Sequence, residues 1–259
     1  MLKAIDINFD FTTDTPNYWE DFKSGESCKD PDIWSPKMRE YQQLLYSKPL
    51  PNGDFLNLQQ GNNPEFNYLY WKNLRFGSDS IVNMYIHHKG LQWLIDDVKK
   101  QINNFENFYE TYLRKGYTIG GEIIFPKRTW SINRMRGTNA KIKDRFDLTL
   151  ECIRRFYNNE QNPLYNVLKE DSNFFELFVD FKGYVDFFYL NDLVTDDYNS
   201  VNFYLDFDNF ERNPRPQTVE EWFTLYNKQM EFLTARNRRI HQCINKQRVE
   251  MSLIWRFMT

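Results

Sequence analysis

Cysteine and histidine are scarce in this chain of 259 residues, with three of each, and long apolar runs are missing. The cysteines, Cys28, Cys152 and Cys243, are odd in number and form no CxxC pair, which argues against a disulfide framework or a zinc cluster. No stretch approaches the roughly 18 apolar residues of a membrane span, and acids interrupt the N-terminal segment where a signal peptide would be apolar. We therefore expect a soluble cytoplasmic protein without membrane contacts, bound metal or cofactor.

Net positive charge is lacking as well. The formal net charge is -3, so the chain as a whole does not attract nucleic acid or an anionic membrane. Neither GxxxxGK[ST] nor GxGxxG occurs, which leaves a P-loop or a Rossmann nucleotide site without support. The sequence shows no internal repeat, low-complexity segment or domain boundary, and we expect residues 1–259 to form a single domain.

Aromatic residues, in contrast, are abundant. The chain contains 23 Phe, 16 Tyr and 7 Trp, which together make up 18% of its residues. Since aliphatic residues are correspondingly few, aromatic side chains must fill much of the interior. The pattern of elements described next predicts an α+β fold, helix-rich, with a small and mostly antiparallel sheet around an aromatic core.

Helix signals occur along the whole chain. Ser35-Pro36 predicts a helix start, because serine caps helix N-termini and proline fits the first turn. Apolar residues at helical spacing predict helices over residues 91–115, 140–157, 172–194 and 218–250. The segment 172–194 is apolar on most sides, so we expect it at the centre of the fold. The last helix begins with a Thr218–Glu221 capping box and is expected to pack as an arm or to form a homodimer.

Strand signals are fewer. Tyr117–Phe125 is the best strand candidate of the first half, and its Gly120-Gly121 pair indicates a bulge or a close backbone neighbour. Ser200–Phe207 alternates apolar and polar residues, which predicts a half-buried strand.

A basic segment follows the first of these strands. Arginine forks match phosphate geometry, and a loop and helix start at a strand end commonly bind anions. The sequence therefore predicts a site for a phosphate-bearing ligand, such as a nucleotide or nucleic acid. Its candidate ligand-binding residues are Arg128, Asn133, Arg134, Arg136, Asn139, Arg145 and Asp186, with Lys141 and Lys143 between them. The alternative is that these arginines only pair with nearby acids such as Asp144, Asp147 and Glu151.

Acidic residues offer two further candidates. Asp186 lies in an apolar segment, where a carboxylate needs a partner, and it is either a structural ion-pair member or a site acid. Asp206 and Asp208 share one face of the expected strand over 200–207 and could hold Mg²⁺ or Ca²⁺, although acids on a solvent face are the more common explanation.

The C-terminal helix carries a second candidate chemistry. Arg236-Asn237-Arg238-Arg239-Ile240-His241 resembles the motif of HEPN ribonucleases, in which a helix presents arginine and histidine to cleave RNA without metal. Arg236 would stabilise the charged phosphorane and His241 would move a proton, so both are candidate catalytic residues. The alternative is an exposed basic turn on the helix.

Several longer strings resemble one uncharacterised bacterial domain family whose members are nearly all of this length. They are DPDIWSP, SKPLPNG, YTIGGEIIFP, DRFDLTLECIRRFY, FKGYVDFFYLNDLV and ARNRRI. The resemblance implies a bacterial or phage source, and it implies no activity. A non-enzymatic interaction protein with structural arginines therefore remains a third possibility beside ligand binding and RNA cleavage.

Overall fold

Helices dominate the structure, and a small antiparallel sheet lies among them. A computed structural model describes residues 5–61 and 68–258, with side chains of the last helix described through Lys246. The helices of these residues account for 53% of the chain, and four described strands form one sheet in the order β1-β2-β3-β4. The predicted α+β class is confirmed.

The α-helices of the described residues are α1 (Tyr18–Ser24), α2 (Pro31–Trp34), α3 (Pro36–Tyr46), α4 (Gln92–Gln101), α5 (Phe105–Gly116), α6 (Ile132–Thr138), α7 (Phe146–Tyr157), α8 (Tyr165–Glu170), α9 (Ser172–Phe175), α10 (Phe181–Phe187) and α11 (Val219–Met258). Short 3₁₀ helices cover Phe11–Asp14, Lys89–Leu91, Ile119–Gly121, Glu176–Phe178 and Asn191–Leu193. The strands are β1 (Gln59–Gln60), β2 (Leu69–Trp71), β3 (Leu74–Ser80) and β4 (Glu122–Pro126).

The β3–β4 pair is the longest ladder of the sheet. It aligns Gly77 with Phe125 and Ser78 with Ile124, and all five residues of β4 are buried. At the start of β4, Arg236 of α11 donates to the carbonyls of Gly120 and Glu122 at 2.7 and 2.9 Å. These bonds hold the last helix against the beginning of β4.

Two predicted helix starts are confirmed in atomic detail. Ser35 Oγ accepts a hydrogen bond from Met38 N at 3.0 Å, and proline follows at the first helical position. Thr218 Oγ1 accepts from Glu221 N at 3.2 Å, so the capping residue of α11 is the predicted threonine.

Two of the predicted helices are interrupted. The segment 91–115 divides into α4 and α5 at Asn104, which has a φ of 65°. The expected central helix over 172–194 is instead four short helical segments. The chain is interrupted at Val179 and Tyr189, whose φ values are 70° and 59°. The apolar residues of this segment thus belong to several short helices and not to one buried helix. The helix predicted from residue 140 begins only at Phe146.

The two predicted strands also need correction. Only the second half of 117–125 is a strand, because the chain first forms a 3₁₀ turn in which Gly121 leaves no room for a Cβ, with Gly116 O only 1.7 Å from its ideal position. Residues 200–207 make a single bridge, Val194 to Val201, and no ladder. The reason is Tyr204, which is buried and whose N–H donates to the Asp147 carboxylate at 2.9 Å instead of to a neighbouring strand.

The core is aromatic, as predicted. Tyr184 and Phe178 lie 4.8 and 5.3 Å from the ring of Phe188, and further rings extend this cluster. Gly183 lets α10 approach the preceding turn, since a Cβ there would lie 2.1 Å from Phe178 O. Among the described residues, no helix has the length and apolar character that crossing a bilayer requires.

Candidate functional site

The candidate arginine nearest the strand end is part of an ion-pair network. Arg128 is 30% exposed, and its Nε lies 2.9 Å from Asp171 Oδ1, with Glu170 as a second acidic partner. It also donates to Val167 O at 3.3 Å. The Arg128 side chain thus joins the C-terminal end of β4 to α8, and its N–H groups point toward Asp171, Glu170 and Val167 O.

Two other candidate arginines lie inside the protein. Arg136 is 1% exposed and donates to Asp79 Oδ2 at 2.7 Å and to Asp144 O at 2.9 Å. Arg145 is 2% exposed and holds Asp147 with both ends of its fork. Burial without these carboxylates would be costly, and the pairing repays it. Arg136 and Arg145 thus have structural partners, and their predicted ligand contacts stay a prediction that their burial argues against.

The remaining candidates of the segment differ in exposure. Asn133 Nδ2 donates to Ser78 O at 3.0 Å and Asn139 Nδ2 donates to Pro163 O at 3.0 Å, so both hold the backbone. Arg134 is exposed, and its guanidinium stacks 4.4 Å from the ring centre of Trp130, itself 57% exposed. Of the five arginines and asparagines considered after Arg128, Arg134 is exposed, Asn133 and Asn139 are half-buried, and the other two are buried.

Asp186 does not contact the basic segment. Its carboxylate pairs with Lys182 one helical turn earlier and accepts from Tyr198 Oη at 2.8 Å, and it also bonds to Asn191. Partial burial opposes ionisation, but the hydrogen bonds from these three groups prevail and lower the pKa of Asp186. Asp186 is therefore an ionised carboxylate at neutral pH.

The two residues of the ribonuclease hypothesis lie in different environments. Arg236 is 0% exposed, and its donors reach the carbonyls of Gly120, Glu122 and Phe188 and the hydroxyl of Tyr46. His241 is exposed and bonds to Asn245 one turn later at 2.8 Å. RNA cleavage by this chain stays a prediction, and the burial of Arg236 argues against its contact with a phosphate.

The acids predicted as a cation site do not share a strand face, because no strand forms there. Asp208 Oδ1 instead accepts from the backbone N–H groups of Glu211 and Arg212, both at 2.9 Å. Within the part of the chain that the structure describes, no group of three or more acidic, histidine or cysteine side chains is arranged to hold a metal.

A cationic cavity does exist beside the basic segment, and we call it the basic cleft. It has a volume of about 340 Å³ and is lined by Lys141, Lys143, Arg212 and Arg215, with Glu211 as its acid. Lys141 lies 3.4 Å from Glu211, and Arg212 pairs with Glu221 outside the lining. These pairs leave the charges of Lys143 and Arg215 without a carboxylate partner among the described residues.

Arg145, one of the residues predicted to bind a ligand, supports this cleft without lining it. Arg145 donates to Pro214 O at 3.2 Å and so fixes the 211–215 loop against the 139–145 turn. Lys143 and Asp144 both have positive φ, 46° and 62°, which turns the chain sharply before α7. Tyr85 Oη donates to Lys143 O at 2.6 Å and secures the turn. The basic side chains of turn and loop are thereby held on one face.

The cationic side chains of the cleft also affect the pKa of a neighbouring histidine, His88. Partial burial, followed by the positive charges of Arg215 and Lys143, lowers the pKa of His88. In addition, Nε of Arg215 is buried and has no hydrogen-bond acceptor among the described residues. An anion in the cleft would supply the missing negative charge for these groups.

None of the residues predicted to bind the ligand lines the cleft, although two of its lysines lie in the same segment. Lys141 and Lys143 belong to the basic segment, whereas Arg212 and Arg215 lie in a proline-containing loop about 70 residues later. Their only signal is the string ERNPRP, in which two arginines flank a proline turn.

Comparison with known protein families shows which family the chain belongs to. A model of a family of unknown function, DUF6994, matches residues 5–240. The chain belongs to this family. The match covers most of the chain and confirms the resemblance found in the motifs. A search of the curated proteins found no match, and a search of the solved structures found none either. The basic cleft of this DUF6994 member lies entirely within the matched residues.

Proposed function

We propose that this protein binds a small phosphate-bearing ligand, such as a nucleotide, in the basic cleft. One observation carries the proposal: the cavity is lined by four cationic side chains and one carboxylate, in a chain whose net charge is -3. A cation excess of this kind in an acidic protein favours anions locally while the rest of the surface repels them.

The size and chemistry of the cleft agree with such a ligand. Its volume of about 340 Å³ lies at the lower end of small-molecule sites, which span roughly 300–1,000 Å³. Arginine offers a planar fork to phosphate oxygens and lysine a mobile point charge, and the cleft supplies both. The fixed turn at Lys143 and the loop pinned through Pro214 reduce the ordering cost of binding.

Isothermal titration calorimetry with pyrophosphate, AMP and ATP tests this proposal. Arg215→Ala and Lys143→Ala should each weaken binding about tenfold or more, since a hydrogen bond to a charged group contributes about 1.5–3 kcal/mol. Arg134→Ala is the matched control, because it removes an exposed arginine of the same segment outside the cleft. A loss of affinity in Arg134→Ala with none in Arg215→Ala would place the ligand at the Trp130 loop and overturn the assignment.

Two further readouts report on the same cleft. Glu211→Gln removes the one carboxylate among the described lining residues and should tighten binding about two- to fivefold, in line with surface charge effects of up to about 1 kcal/mol. Ligand binding should also raise the pKa of His88, because the charges that lower it become neutralised. With three histidines in the chain, proton NMR titration resolves this shift, and an unchanged His88 in saturated protein would contradict the proposal.

A further inference from the structure

A second cavity, separate from the basic cleft, lies between the turn after α3 and the start of α10. It has a volume of about 650 Å³, and its lining includes Lys48, Val179, Lys182 and Asp186. None of these side chains contributes to the proposed anion site. Two lysines in different environments are therefore among its lining residues.

Lys48 is held without a counter-ion. Its Nζ donates to Phe187 O at 2.7 Å and lies 4.3 and 3.9 Å from the ring centres of Phe187 and Tyr189. No carboxylate of the described chain lies within 4.0 Å of it. Burial, to which the charge of Arg236 adds, lowers the pKa of Lys48 to about 7, although the aromatic faces favour the ammonium form. A large share of the amine is then uncharged at neutral pH.

Lys182 provides an internal contrast in the same cavity. It pairs with Asp186, and this hydrogen bond raises its pKa. Its ammonium is exposed and remains protonated under physiological conditions. Only a neutral amine has the lone pair that attacks a carbonyl carbon. Lys48, which lies against two aromatic rings and has no acid beside it, meets this requirement better than Lys182, whose ammonium is paired with Asp186.

The cavity rim is strained. Val179 has φ 70° and ψ -53°, and Asp180 N donates to Phe178 O at 2.8 Å across it, which closes a γ-turn of the rare positive-φ type. The residue is β-branched, for which this conformation is unfavourable, and its side chain is 62% exposed. Strained backbone that the surrounding structure maintains is concentrated at ligand sites.

We propose that Lys48 is a nucleophilic amine that condenses reversibly with a small aldehyde or ketone entering this cavity. The lone pair of Nζ forms a C–N bond with the carbonyl carbon, and the carbonyl oxygen takes up a proton to give a carbinolamine. The C–O bond then breaks and water leaves as the C=N bond forms. Both hydrogens of the neutral amine end in that water, so the exchange of C=O for C=N needs no oxidant or reductant.

Reductive trapping on the full-length protein tests the proposal. The protein is incubated with acetaldehyde or pyruvate between pH 6 and 9, reduced with borohydride, and digested for mass spectrometry of labelled peptides. At about pH 7.5 the labelled fraction of Lys48 should exceed that of Lys182 at least about tenfold, because deprotonation determines the rate. Lys48 labelling should rise to half its maximum near pH 7. Equal labelling of both lysines, or less at Lys48, would overturn the proposal.

Two variants test whether the label depends on the amine of Lys48 itself. Lys48→Arg keeps a positive charge but cannot form an imine, and it should lose the label while circular dichroism confirms folding. Lys182→Gln removes the paired lysine and should leave Lys48 labelling unchanged. If Lys48→Arg does not fold, the pH profile of Lys48 acylation in the native protein decides instead. A profile that follows that of Lys182 would reject the inference.

Discussion

Arg236 connects four parts of the molecule through one side chain. From α11 it reaches the 3₁₀ turn before β4, the first residue of β4, the end of α10 and Tyr46 of α3. Its partners are carbonyls and a hydroxyl, with no carboxylate among them. The guanidinium therefore works as a rigid set of donors inside the fold and not as one half of an ion pair.

Arg236→Ala should lower the free energy of unfolding by about 4 kcal/mol, because it leaves buried carbonyls unpaired and opens a cavity. Arg238→Ala, two positions along the same helix and exposed, serves as the control and should stay within about 0.5 kcal/mol of the wild type. Urea denaturation measures both. Similar stability in the two variants would show that the Arg236 bonds contribute little.

A pair of carboxyl groups links α2 to the sheet. Asp32 bonds to Glu122, and Asp32 Oδ1 and Glu122 Oε1 have no further partner among the described residues. Ser78 Oγ donates to the other oxygen of Glu122 at 3.1 Å. Burial raises the pKa of both acids, that of Asp32 to about 8, so the pair holds a proton at neutral pH.

This proton makes stability depend on pH. Between about pH 4 and 8 the folded state binds more protons than the unfolded state, so the free energy of unfolding falls as pH rises, by about 1.4 kcal/mol per pH unit for each extra proton. Asp32→Asn removes one titrating group and should flatten this slope. Denaturation midpoints of the wild type and of Asp32→Asn, measured from pH 5 to 7, give the difference between the two slopes. Parallel pH profiles would show that Asp32 is ionised in the folded state.

At the scale of elements, helix starts were predictable and helix interruptions were not. Ser35-Pro36 and Thr218 act locally, through hydrogen bonds to residues three positions away, so sequence alone identifies them. The breaks at Asn104 and Val179 require positive φ in residues other than glycine. At Asn104 the interaction is local, because its Oδ1 accepts from Asn107 N at 3.1 Å and caps α5. The apolar spacing continues through both breaks and so conceals them.

The same distinction explains the basic segment. The Glu151–Arg155 pair, one turn apart on α7, is of the kind that helical spacing alone predicts, and it is present at 2.7 Å. Arg136 donates to Asp79, which lies 57 residues earlier, and Arg145 donates to Pro214 O, which lies 69 residues later. Such partners depend on how the elements pack, so the pattern identified a charged region correctly but not which of its charges are free.

Val179→Gly should stabilise the protein by about 1 kcal/mol. Glycine adopts the positive φ of this γ-turn without strain, and the valine side chain is mostly exposed, so little apolar burial is lost. Val179→Ala keeps a Cβ and its steric conflict and should not gain stability. Guanidinium melts compare the two. Equal stability of the glycine and alanine variants would mean that the turn stores little strain.

For the whole molecule, the family and fold class are established, while bacterial origin, cytoplasmic location and homodimer formation through α11 stay predictions. Helix α11 extends from residue 219 to 258, about 60 Å at 1.5 Å per residue. Its first half packs on the core, where Trp222 Nε1 donates to Met84 O at 2.9 Å. The matched family region ends at residue 240, within this helix.

The described core predicts cooperative unfolding as a single unit. Buried residues from Phe11 to Ile240 form one continuous cluster, and Trp222 and Arg236 fasten α11 to segments more than 100 residues earlier. Chains above about 150 residues often unfold in several steps, so one transition is a demanding expectation. Far-ultraviolet circular dichroism and tryptophan fluorescence should give coincident thermal curves, with equal calorimetric and van't Hoff enthalpies. Two separated transitions would instead mean that the chain contains two domains, with its core divided between them.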